Sequence, residues 1–328
     1  MIQLLVPPQN QGGVYDFAGG LQSAMGGDST CVVQLSKSNA SNWEIGSDDT
    51  VVLQYSGYGF ARRGAPMWLL RALKARRKDI KRLGIYFHEL YALGPPWSSA
   101  FWLSPAQRHI ARRLAEMSDF WITNSEASSS WLCKFASQKP HALLPVFSNV
   151  GEMQAYEPER IPKIVIFGGE HLRTKTYINA GVSLFEWAKN DGLIIHDIGP
   201  NITNREVSYL LQREGVIQHG RLDSESVSAY LKTAMFGVVA YQSNCAAKSG
   251  VFASYCAHGV CPVLISSNFD TADGLIASQH YIAGIPNHSI LPKKSKIIGA
   301  KAWHWYQAHK VRKHISTIQS LLNVYGNE

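Results

Sequence analysis

The residues best suited to chemistry lie in one stretch, residues 248–266, with the sequence KSGVFASYCAHGVCPVLIS. Ser249 and Gly250 begin a predicted helix, because serine caps a helix N-terminus and glycine lets a ligand approach the backbone. Gly259 ends that helix, and Pro262 fixes the exit into an apolar segment typical of a buried parallel strand. The open N-terminus of such a helix offers N–H groups to phosphate. An ordinary helix–turn–strand unit of an α/β sheet is the alternative interpretation.

Other cations and glycines in the chain also suit a diphosphate group. Arg173 and Lys175 follow a two-glycine turn, and Lys248 directly precedes the helix just described. A leaving diphosphate gains negative charge, and the sequence has no Asp-x-Asp metal motif, so cations and backbone N–H groups would have to stabilise that charge. Arg173 and Lys175 are equally compatible with ordinary surface charges. Gly12 and Gly13 form a glycine loop after the first strand, with a flexible turn as the alternative.

His88 and Glu89 come directly after a predicted strand, residues 83–87, and α/β sheets place their ligands at that end of a strand. His88 could orient or polarise an acceptor hydroxyl, and Glu89 could accept its proton. A hydrogen-bonded strand-end histidine and a turn-capping glutamate are equally compatible with the pattern. The loop at residues 91–101 is rich in proline, glycine and aromatic residues and is long enough to form a lip over an acceptor site.

The composition indicates a soluble globular protein of two domains. The chain has 328 residues, more than one compact core usually holds. Hydrophobic residues make up 45% of it, the mean hydropathy is -0.11, and no apolar run is long enough for a membrane helix. The N-terminus lacks the features of a secretory signal. Five scattered cysteines without CxxC spacing argue against zinc and disulfides and favour a reducing cytoplasm.

The net charge of +8 indicates an anionic partner: nucleotide phosphates, an acidic membrane surface or nucleic acid. Nucleic acid is not expected, because aromatic residues are not interleaved with basic ones. Residues 67–83 form a predicted helix with seven cations beside Trp68 and Leu69, which suits an anionic bilayer surface. A solvated basic helix packed on a sheet is the alternative. We therefore expect a cytoplasmic protein, peripheral on the inner face of the membrane if this helix binds lipid.

Predicted strands and helices alternate in two series, which indicates two successive α/β sheets with a cleft between them. The strands are predicted at residues 2–6, 30–35, 50–55, 83–87 and 120–124, and then at 164–167, 193–198, 216–219, 236–240 and 263–265. A polar segment, residues 151–162, has the composition of a linker. The predicted domains are residues 1–155 and 156–300. A basic helix, predicted at 297–324, supplies most of the last segment, 301–328, which could pack back on the first domain.

This order of elements resembles the GT-B glycosyltransferases, particularly the large retaining group called family 4. In the second half the likeness is carried by Phe167-Gly168-Gly169 with Lys175, by His219-Gly220-Arg221-Leu222, by Ala240-Tyr241-Gln242-Ser243, and by Ser249-Gly250 with Ala257-His258-Gly259 and Pro262-Val263. In the first half it is carried by Tyr86-Phe87-His88-Glu89 and Ile122-Thr123-Asn124-Ser125. The resemblance implies two Rossmann-like domains, the first for an acceptor and the second for a nucleotide sugar.

The chain departs from that family at two glutamates, which the family places eight residues apart. The corresponding positions hold Ala246 and Ser254 when the sequences are aligned on Gly259, and Ala247 and Tyr255 when they are aligned on Pro262. In the family the second glutamate holds the nucleotide ribose. That contact is therefore missing here or is replaced by Ser254 or Tyr255.

The resemblance implies a hexosyltransferase-like enzyme that moves a sugar from a nucleotide diphosphate sugar to a glycan, lipid-linked or other acceptor. It implies no metal or other cofactor, and a role in surface polysaccharide or glycoconjugate synthesis. Loss of both glutamates favours an alternative, a catalytically silent homologue that binds sugar nucleotides or acts as an assembly partner. An unrelated two-domain α/β binding protein is a third class, which the missing export signal disfavours.

Overall fold

The structure is a computed structural model that describes residues 1–8, 12–27, 29–92, 94, 97–157 and 159–324. The chain forms two compact units. Residues 1–145 and the segment from 311 onward make up the first unit, and residues 146–310 make up the second. The segment 146–155, which was expected to end the first domain, belongs to the second unit.

The first unit is built on a parallel six-stranded sheet. Its strands are β1 (Ile2–Val6), β2 (Thr30–Gln34), β3 (Thr50–Tyr55), β4 (Arg82–Phe87), β5 (Phe120–Thr123) and β6 (His141–Leu143). They lie in the order β2-β1-β3-β4-β5-β6. The helices before residue 145 are α1 (Gly13–Met25), α2 (Gly57–Phe60), α3 (Met67–Ala75), α4 (Ser99–Met117) and α5 (Glu126–Ala136). β3 is buried along its whole length, as expected for a parallel strand covered on both faces.

The predicted helix at residues 67–83 is wrong in length. α3 ends at Ala75, a single 3₁₀ turn follows at Arg77–Asp79, and Arg82 already belongs to β4. Some cations of this segment pair with separate acidic partners: Arg76 with Asp79, Arg77 with Asp119 at 2.7 Å, and Lys81 with Asp48. Leu69 is buried, and Trp68 packs edge-on against Phe60. The two apolar side chains expected to contact lipid therefore pack within the unit.

The second unit repeats the architecture. Its strands are β7 (Ile161–Phe167), β8 (Ile194–Ile198), β9 (Ile217–Gln218), β10 (Ala234–Ala240), β11 (Cys261–Ile265) and β12 (Ile282–Ala283). All pair in parallel, in the order β12-β11-β10-β7-β8-β9. Its helices are α6 (Glu170–Ala180), α7 (Ser183–Asn190), α8 (Arg205–Arg213), α9 (Ser224–Thr233), α10 (Gly250–Ala257) and α11 (Pro292–Gln307). Two six-stranded parallel α/β sheets confirm the predicted fold class.

Two predicted helices are each divided in the structure. The sequence pattern predicts one helix over residues 176–189. In the structure this stretch is divided between α6, which already begins at Glu170, and α7, because Gly181 adopts a φ of 58° that ends the first helix. The helix expected at 297–324 is α11 followed by α12 (Val311–Asn323). α12 lies in the first unit, where the His314 side chain contacts Tyr86 Oη at 3.3 Å and the Pro145 carbonyl at 3.1 Å.

None of the helices in the described part of the chain is long and apolar enough to cross a bilayer.

Candidate functional site

The glycine turn and the central helix of the second unit meet at the carboxyl ends of its strands. Gly168 follows β7 with a φ of 122°, and a Cβ placed on it would lie 3.1 Å from Val251 Cγ2. Val251 is in the first turn of α10. Two segments 80 residues apart, each predicted separately to suit phosphate, are therefore in contact, at the sheet edge where α/β folds bind ligands.

The N-terminus of α10 is built as the sequence predicts. Ser249 is the N-cap, and its Oγ accepts from the Phe252 N–H at 3.2 Å. The N–H groups of Gly250 and Val251 precede the first intrahelical bond, from Ala253 N–H to the Ser249 carbonyl at 2.9 Å. A Cβ on Gly250 would meet only Asn149, in ordinary contact at 3.7 Å, so the backbone here is open to a ligand.

Arg173 is not placed to bind phosphate, and that expectation is corrected. Its side chain is 1% exposed and forms an ion pair with Asp197 of β8. It also donates to the carbonyls of Gly168, at 3.0 Å, and Pro200. Gly199 passes directly over it, and a Cβ there would lie 2.5 Å from Arg173 Nε. The guanidinium therefore fixes the loops after β7 and β8 from beneath.

Asp197 completes this buried network through a second hydrogen bond, from Tyr177 Oη at 2.9 Å. Burial raises the pKa of Asp197, and the adjacent Arg173 guanidinium opposes that shift. A buried carboxylate that accepts from two donors on α6 holds that helix against β8. The role of the network is to support the turn at residues 168–169.

Glu170 is the first residue of α6, and its carboxylate does not suit phosphate binding. Its carboxylate accepts from the backbone N–H of Thr203 at 2.7 Å and from the Thr203 hydroxyl at 2.5 Å. These hydrogen bonds lower the pKa of Glu170, which keeps the group ionised. A carboxylate at the start of α6 repels phosphate, so the N-terminus of α10 is the better anion site of the two.

Lys175 and Lys248 remain candidates for contact with a ligand. α6 begins at Glu170, so Lys175 stands on the exposed side of the helix rather than in the glycine turn. Lys248 ends a 3₁₀ segment, Ser243–Lys248, directly before the N-cap of α10, and its side chain is half-exposed. Within the described residues, neither ammonium group forms an ion pair with a carboxylate.

Ser254 and Tyr255, the candidate replacements for the family's ribose-binding glutamate, are both buried. We therefore correct the expectation that one of them contacts the ribose. Tyr255 donates from its hydroxyl to the carbonyls of Val165, at 3.0 Å, and Val238, at 3.1 Å. Burial raises the pKa of Tyr255, as expected for a core phenol. Ser254 bonds the Gly250 carbonyl at 2.7 Å and the Ser148 hydroxyl at 3.0 Å.

The sequence analysis missed Asn149, whose side chain lies beside the N-terminus of α10. Its Oδ1 is 3.4 Å from the Ser254 hydroxyl that donates to it, and the residue is exposed. The backbone of this segment follows residues 246–250, since Val146 N–H donates to the Ala247 carbonyl at 3.0 Å. No pattern in residues 146–150 indicates this contact, because the segment is a loop whose partner lies about a hundred residues away.

In the first unit, His88 lies at the carboxyl end of β4 in a buried aromatic layer. Its side chain is 7% exposed and stacks on Tyr86, with the ring centroids 4.7 Å apart. His88 Nε2 donates to Gln54 Oε1 of β3 at 2.9 Å, with the amide oriented as in the structure. Phe17 of α1 packs edge-on against the imidazole at 4.8 Å. His88 is thus held in one orientation by its neighbours.

Two buried polar atoms beside His88 have no hydrogen-bond partner among the described residues. They are Gln54 Nε2, on the amide that bonds the imidazole, and Asn124 Oδ1, whose amide nitrogen donates to the His88 carbonyl at 3.3 Å. Buried polar groups are normally satisfied by protein, water or a ligand. This donor and this acceptor, near the carboxyl ends of β3 and β5, are closed to solvent, as are the sites of buried water molecules in proteins.

Glu89 and the glycine pair lie at the same edge of the first sheet. Glu89 is exposed and accepts from the Ser56 hydroxyl at 2.8 Å. Gly12, with a φ of 121°, precedes α1, and Gly13 is its first residue. Phe17, on the second turn of that helix, contacts His88, so the N-terminus of α1 lies at this edge. The structure therefore groups His88, Glu89, Gly12 and Gly13 at one end of the sheet.

A cavity of about 600 Å³ lies along the edge strand β2 of the first sheet, among Met1, Gln3, Gln34, Trp43 and Asp49. Its polar groups bond one another: Gln3 accepts from the Trp43 indole N–H and donates to Asp49, both at 2.7 Å. Because these polar groups already satisfy one another, we assign this cavity no ligand.

The described residues hold no group of three histidine, cysteine, aspartate or glutamate side chains arranged to bind a metal ion.

Comparison with known proteins identifies the fold. No family model and no curated protein matches the sequence. Among solved structures, HepE of Anabaena, in complex with UDP-glucose, matches with a TM-score of 0.60 at 11% identity over 100% of both chains. The lipopolysaccharide outer core galactosyltransferase WaaB matches with a TM-score of 0.55 at 8% identity over 98% of both chains. The chain has the GT-B fold.

A third neighbour with this fold is longer. TarM of S. aureus, in complex with UDP and alpha-GlcNAc-glycerol, matches with a TM-score of 0.59 at 12% identity over 87% of this chain. The match covers 57% of the TarM chain, so this chain spans little more than half of that protein. At these identities the likeness extends to the fold, and membership of family 4 stays a prediction.

Proposed function

We propose that the chain is a glycosyltransferase that uses a uridine diphosphate sugar as its donor. The observation that carries this proposal is the contact of the Gly168 turn with the first turn of α10. That contact places free backbone N–H groups at the ligand-binding edge of the second sheet. The choice of uridine is supported by HepE and TarM, which share the fold and whose structures contain UDP-glucose or UDP.

In this proposal the diphosphate sits on the N-terminus of α10. The N–H groups of Gly250 and Val251 and the positive end of the helix stabilise the charge that grows on the leaving group. Lys248 and Lys175 supply ammonium groups, and no metal ion takes part. Asn149 is proposed to bond the ribose or the sugar in place of the missing glutamate, because its side chain lies beside Gly250.

The acceptor hydroxyl is proposed to bind at the carboxyl edge of the first sheet. Gln54 and Asn124 are buried and hold His88 in place, so in this proposal they orient the edge of the site and do not contact the acceptor. Glu89 is the exposed carboxylate nearest His88 along the chain and is proposed to take the proton. We propose a hexose as the sugar and a glycan or lipid-linked acceptor, in surface polysaccharide or glycoconjugate synthesis.

A second function, nucleotide-sugar binding without transfer, is favoured by one observation. The two positions that could replace the ribose-binding glutamate are a buried serine and a core tyrosine, and neither supplies a carboxylate. In a silent homologue the site at α10 would still hold the donor. Release of UDP separates the two functions, because a transferase slowly hydrolyses its donor and a binding protein does not.

The test is release of UDP from UDP-glucose, UDP-galactose and UDP-N-acetylglucosamine, with and without a chelator. The proposal expects release from at least one donor, unaffected by the chelator. His88→Ala should lower the rate about 10²–10⁴-fold, the size of an orienting or proton-transfer role, without changing donor affinity. His109→Ala, at an exposed position on α4, is the matched control. Donor binding without release indicates the silent homologue, and no binding of any donor contradicts both functions.

A further inference from the structure

Three large aromatic side chains project from the start of α4 and the loop before it. Trp97 is 86% exposed, Phe101 44% and Trp102 72%. The Phe101 and Trp102 rings are in edge-to-face contact, with centroids 5.5 Å apart. We call these three residues the aromatic patch. Adjacent exposed aromatic residues are unfavourable in water and mark a surface that meets another apolar phase.

Buried Gln107 ties the aromatic patch to a neighbouring basic loop. Its Nε2 donates to the Arg63 carbonyl at 3.1 Å, and its Oε1 accepts from the Ala92 N–H at 2.7 Å. The loop that carries exposed Arg62 and Arg63 is therefore fixed beside α4. Arg108, also exposed, follows on α4 itself, with its guanidinium 4.4 Å above the Tyr91 ring. Exposed cations therefore lie on α4 and on the loop that Gln107 anchors beside it.

The acidic residues of this surface do not neutralise those cations. Glu116 is the one acidic residue in α4, and it lies at the opposite end of the helix from Trp102. It is occupied by Arg112, at 2.7 Å, and Arg113, at 2.5 Å. Among the described residues, Arg62, Arg63 and Arg108 form no ion pair with a carboxylate, so this surface combines exposed aromatic rings with guanidinium groups that no described acidic residue neutralises.

We propose that the aromatic patch, with Arg62, Arg63 and Arg108, binds the surface of an anionic lipid bilayer. Tryptophan and phenylalanine rings occupy the interfacial layer, and guanidinium groups pair with lipid phosphates. The combination of aromatic rings with guanidinium groups disfavours a sugar-binding surface. Such a surface needs carboxylate or amide acceptors for sugar hydroxyls beside the rings. Lipid binding requires no donor, so this proposal is independent of the proposed sugar transfer.

This surface differs from the helix at residues 67–83 that the sequence suggested for lipid. α3 keeps exposed cations at Arg71 and Lys74, but its aromatic residue, Trp68, donates its indole N–H to the Phe60 carbonyl at 3.3 Å and packs inward. α3 therefore provides cations without an exposed aromatic partner. That difference supplies a matched comparison in the same unit.

The test is flotation of the full chain with phosphatidylcholine vesicles, with and without phosphatidylglycerol, at low and high salt. We expect binding that requires phosphatidylglycerol and weakens at high salt, because salt screens the arginines.

The variant W97S/W102S should lower the partition coefficient about tenfold or more, because it removes the free energy gained when two indole rings leave water. R62S/R63S should lower it on anionic vesicles only. Tyr209→Ser, which removes a 67% exposed ring from the second unit, should leave it unchanged.

Circular dichroism and thermal unfolding establish that each variant is folded. The proposal is overturned if the wild-type chain does not float, if W97S/W102S floats like the wild type, or if R71S/K74S abolishes binding while W97S/W102S retains it. Loss of binding to soluble oligosaccharides by W97S/W102S, with flotation intact, would make the patch a sugar platform. Flotation of a chain that releases no UDP would support the proposed lipid-binding surface and contradict only the proposed sugar transfer.

Discussion

Lys248 is the cation on which the proposed diphosphate site depends most directly. It precedes the N-cap of α10, so its ammonium group and the helix N-terminus are available to one phosphate. Charge-assisted hydrogen bonds contribute about 1.5–3 kcal/mol each, so Lys248→Ala should weaken UDP binding about 10- to 100-fold. Binding of uridine, which has no phosphate, should not change.

Lys189→Ala is the matched control for this change, because Lys189 is an exposed lysine in the last turn of α7. Isothermal titration calorimetry of UDP and uridine measures both variants. Equal UDP affinity for Lys248→Ala and the wild type would remove Lys248 from the site and leave Lys175 as the remaining lysine to test.

His258 should make stability depend on pH. The imidazole is buried, with Nδ1 donating to the Ser254 carbonyl and Nε2 accepting from the Ser228 hydroxyl, both at 2.8 Å. Burial lowers the pKa of His258 to about 4, from 6.5. The unfolded chain therefore binds the proton more tightly, and stability falls as pH drops from about 6.5 to about 4. The full loss is about 3 kcal/mol, at about 1.4 kcal/mol per pKa unit.

Urea unfolding at pH 7 and at pH 4.5 measures this loss. His196 and His219, whose pKa values are also lowered by burial, act in the same direction. His258→Gln should be less stable than the wild type at pH 7 and should lose less stability on acidification. His288→Ala, at an exposed histidine, should retain the wild-type pH dependence. If the stability of His258→Gln falls with pH as steeply as that of the wild type, His258 is not the group that causes the loss.

At the scale of elements, the ion pair of Arg173 and Asp197 joins α6 to β8. Removing one partner of a buried pair leaves an uncompensated charge, which costs about 3–5 kcal/mol. Arg173→Met should therefore lower the free energy of unfolding by that amount. Arg213→Met, which removes an exposed ion pair with Glu214, should change it by less than about 1 kcal/mol. If Arg173→Met keeps the wild-type stability but binds UDP much more weakly, the Arg173 side chain contacts phosphate after all.

Helix beginnings marked by a capping side chain were predictable because capping is local chemistry, whereas α6 and α11, which have no side-chain cap, begin before the predicted residues. Ser125, Asn204, Asp223 and Ser249 each accept from a backbone N–H of the first turn of the helix that follows. Helix ends were less predictable. The run of cations after residue 74 has the pattern of an exposed helix face, while the partners that divide it, such as Asp119, lie far along the chain.

The elements of the proposed donor site could likewise be predicted only in part. A glycine turn and a capped helix N-terminus are visible as short motifs, and the structure brings them into contact. The burial of Arg173 could not be read from its neighbours in sequence, because it depends on Asp197 in another strand. The contact of Asn149 with the start of α10 depends likewise on a distant segment.

On the scale of the whole molecule, each unit presents one kind of chemistry at the carboxyl edge of its sheet. The second unit offers backbone N–H groups and lysines, which suit a diphosphate. The first offers the exposed carboxylate of Glu89 directly after the fixed His88, which suits a hydroxyl. A nucleotide-sugar donor and a hydroxyl acceptor are the two substrates of a glycosyltransferase, so the division of chemistry between the units matches the proposed reaction.

The central claim, a diphosphate seated on the N-terminus of α10, is tested most directly by comparing UDP with uridine in calorimetry. The account predicts that the wild-type chain binds UDP about 10- to 100-fold more tightly than uridine, because the phosphates make charge-assisted contacts. Gly250→Val should abolish that preference, because the valine side chain would cover the first-turn N–H groups, and its Cβ meets only Asn149, in ordinary contact at 3.7 Å. Gly19→Val, at an open helical glycine of α1, should keep it. Equal affinity of the wild-type chain for UDP and uridine, or an unchanged preference in Gly250→Val, would contradict the account.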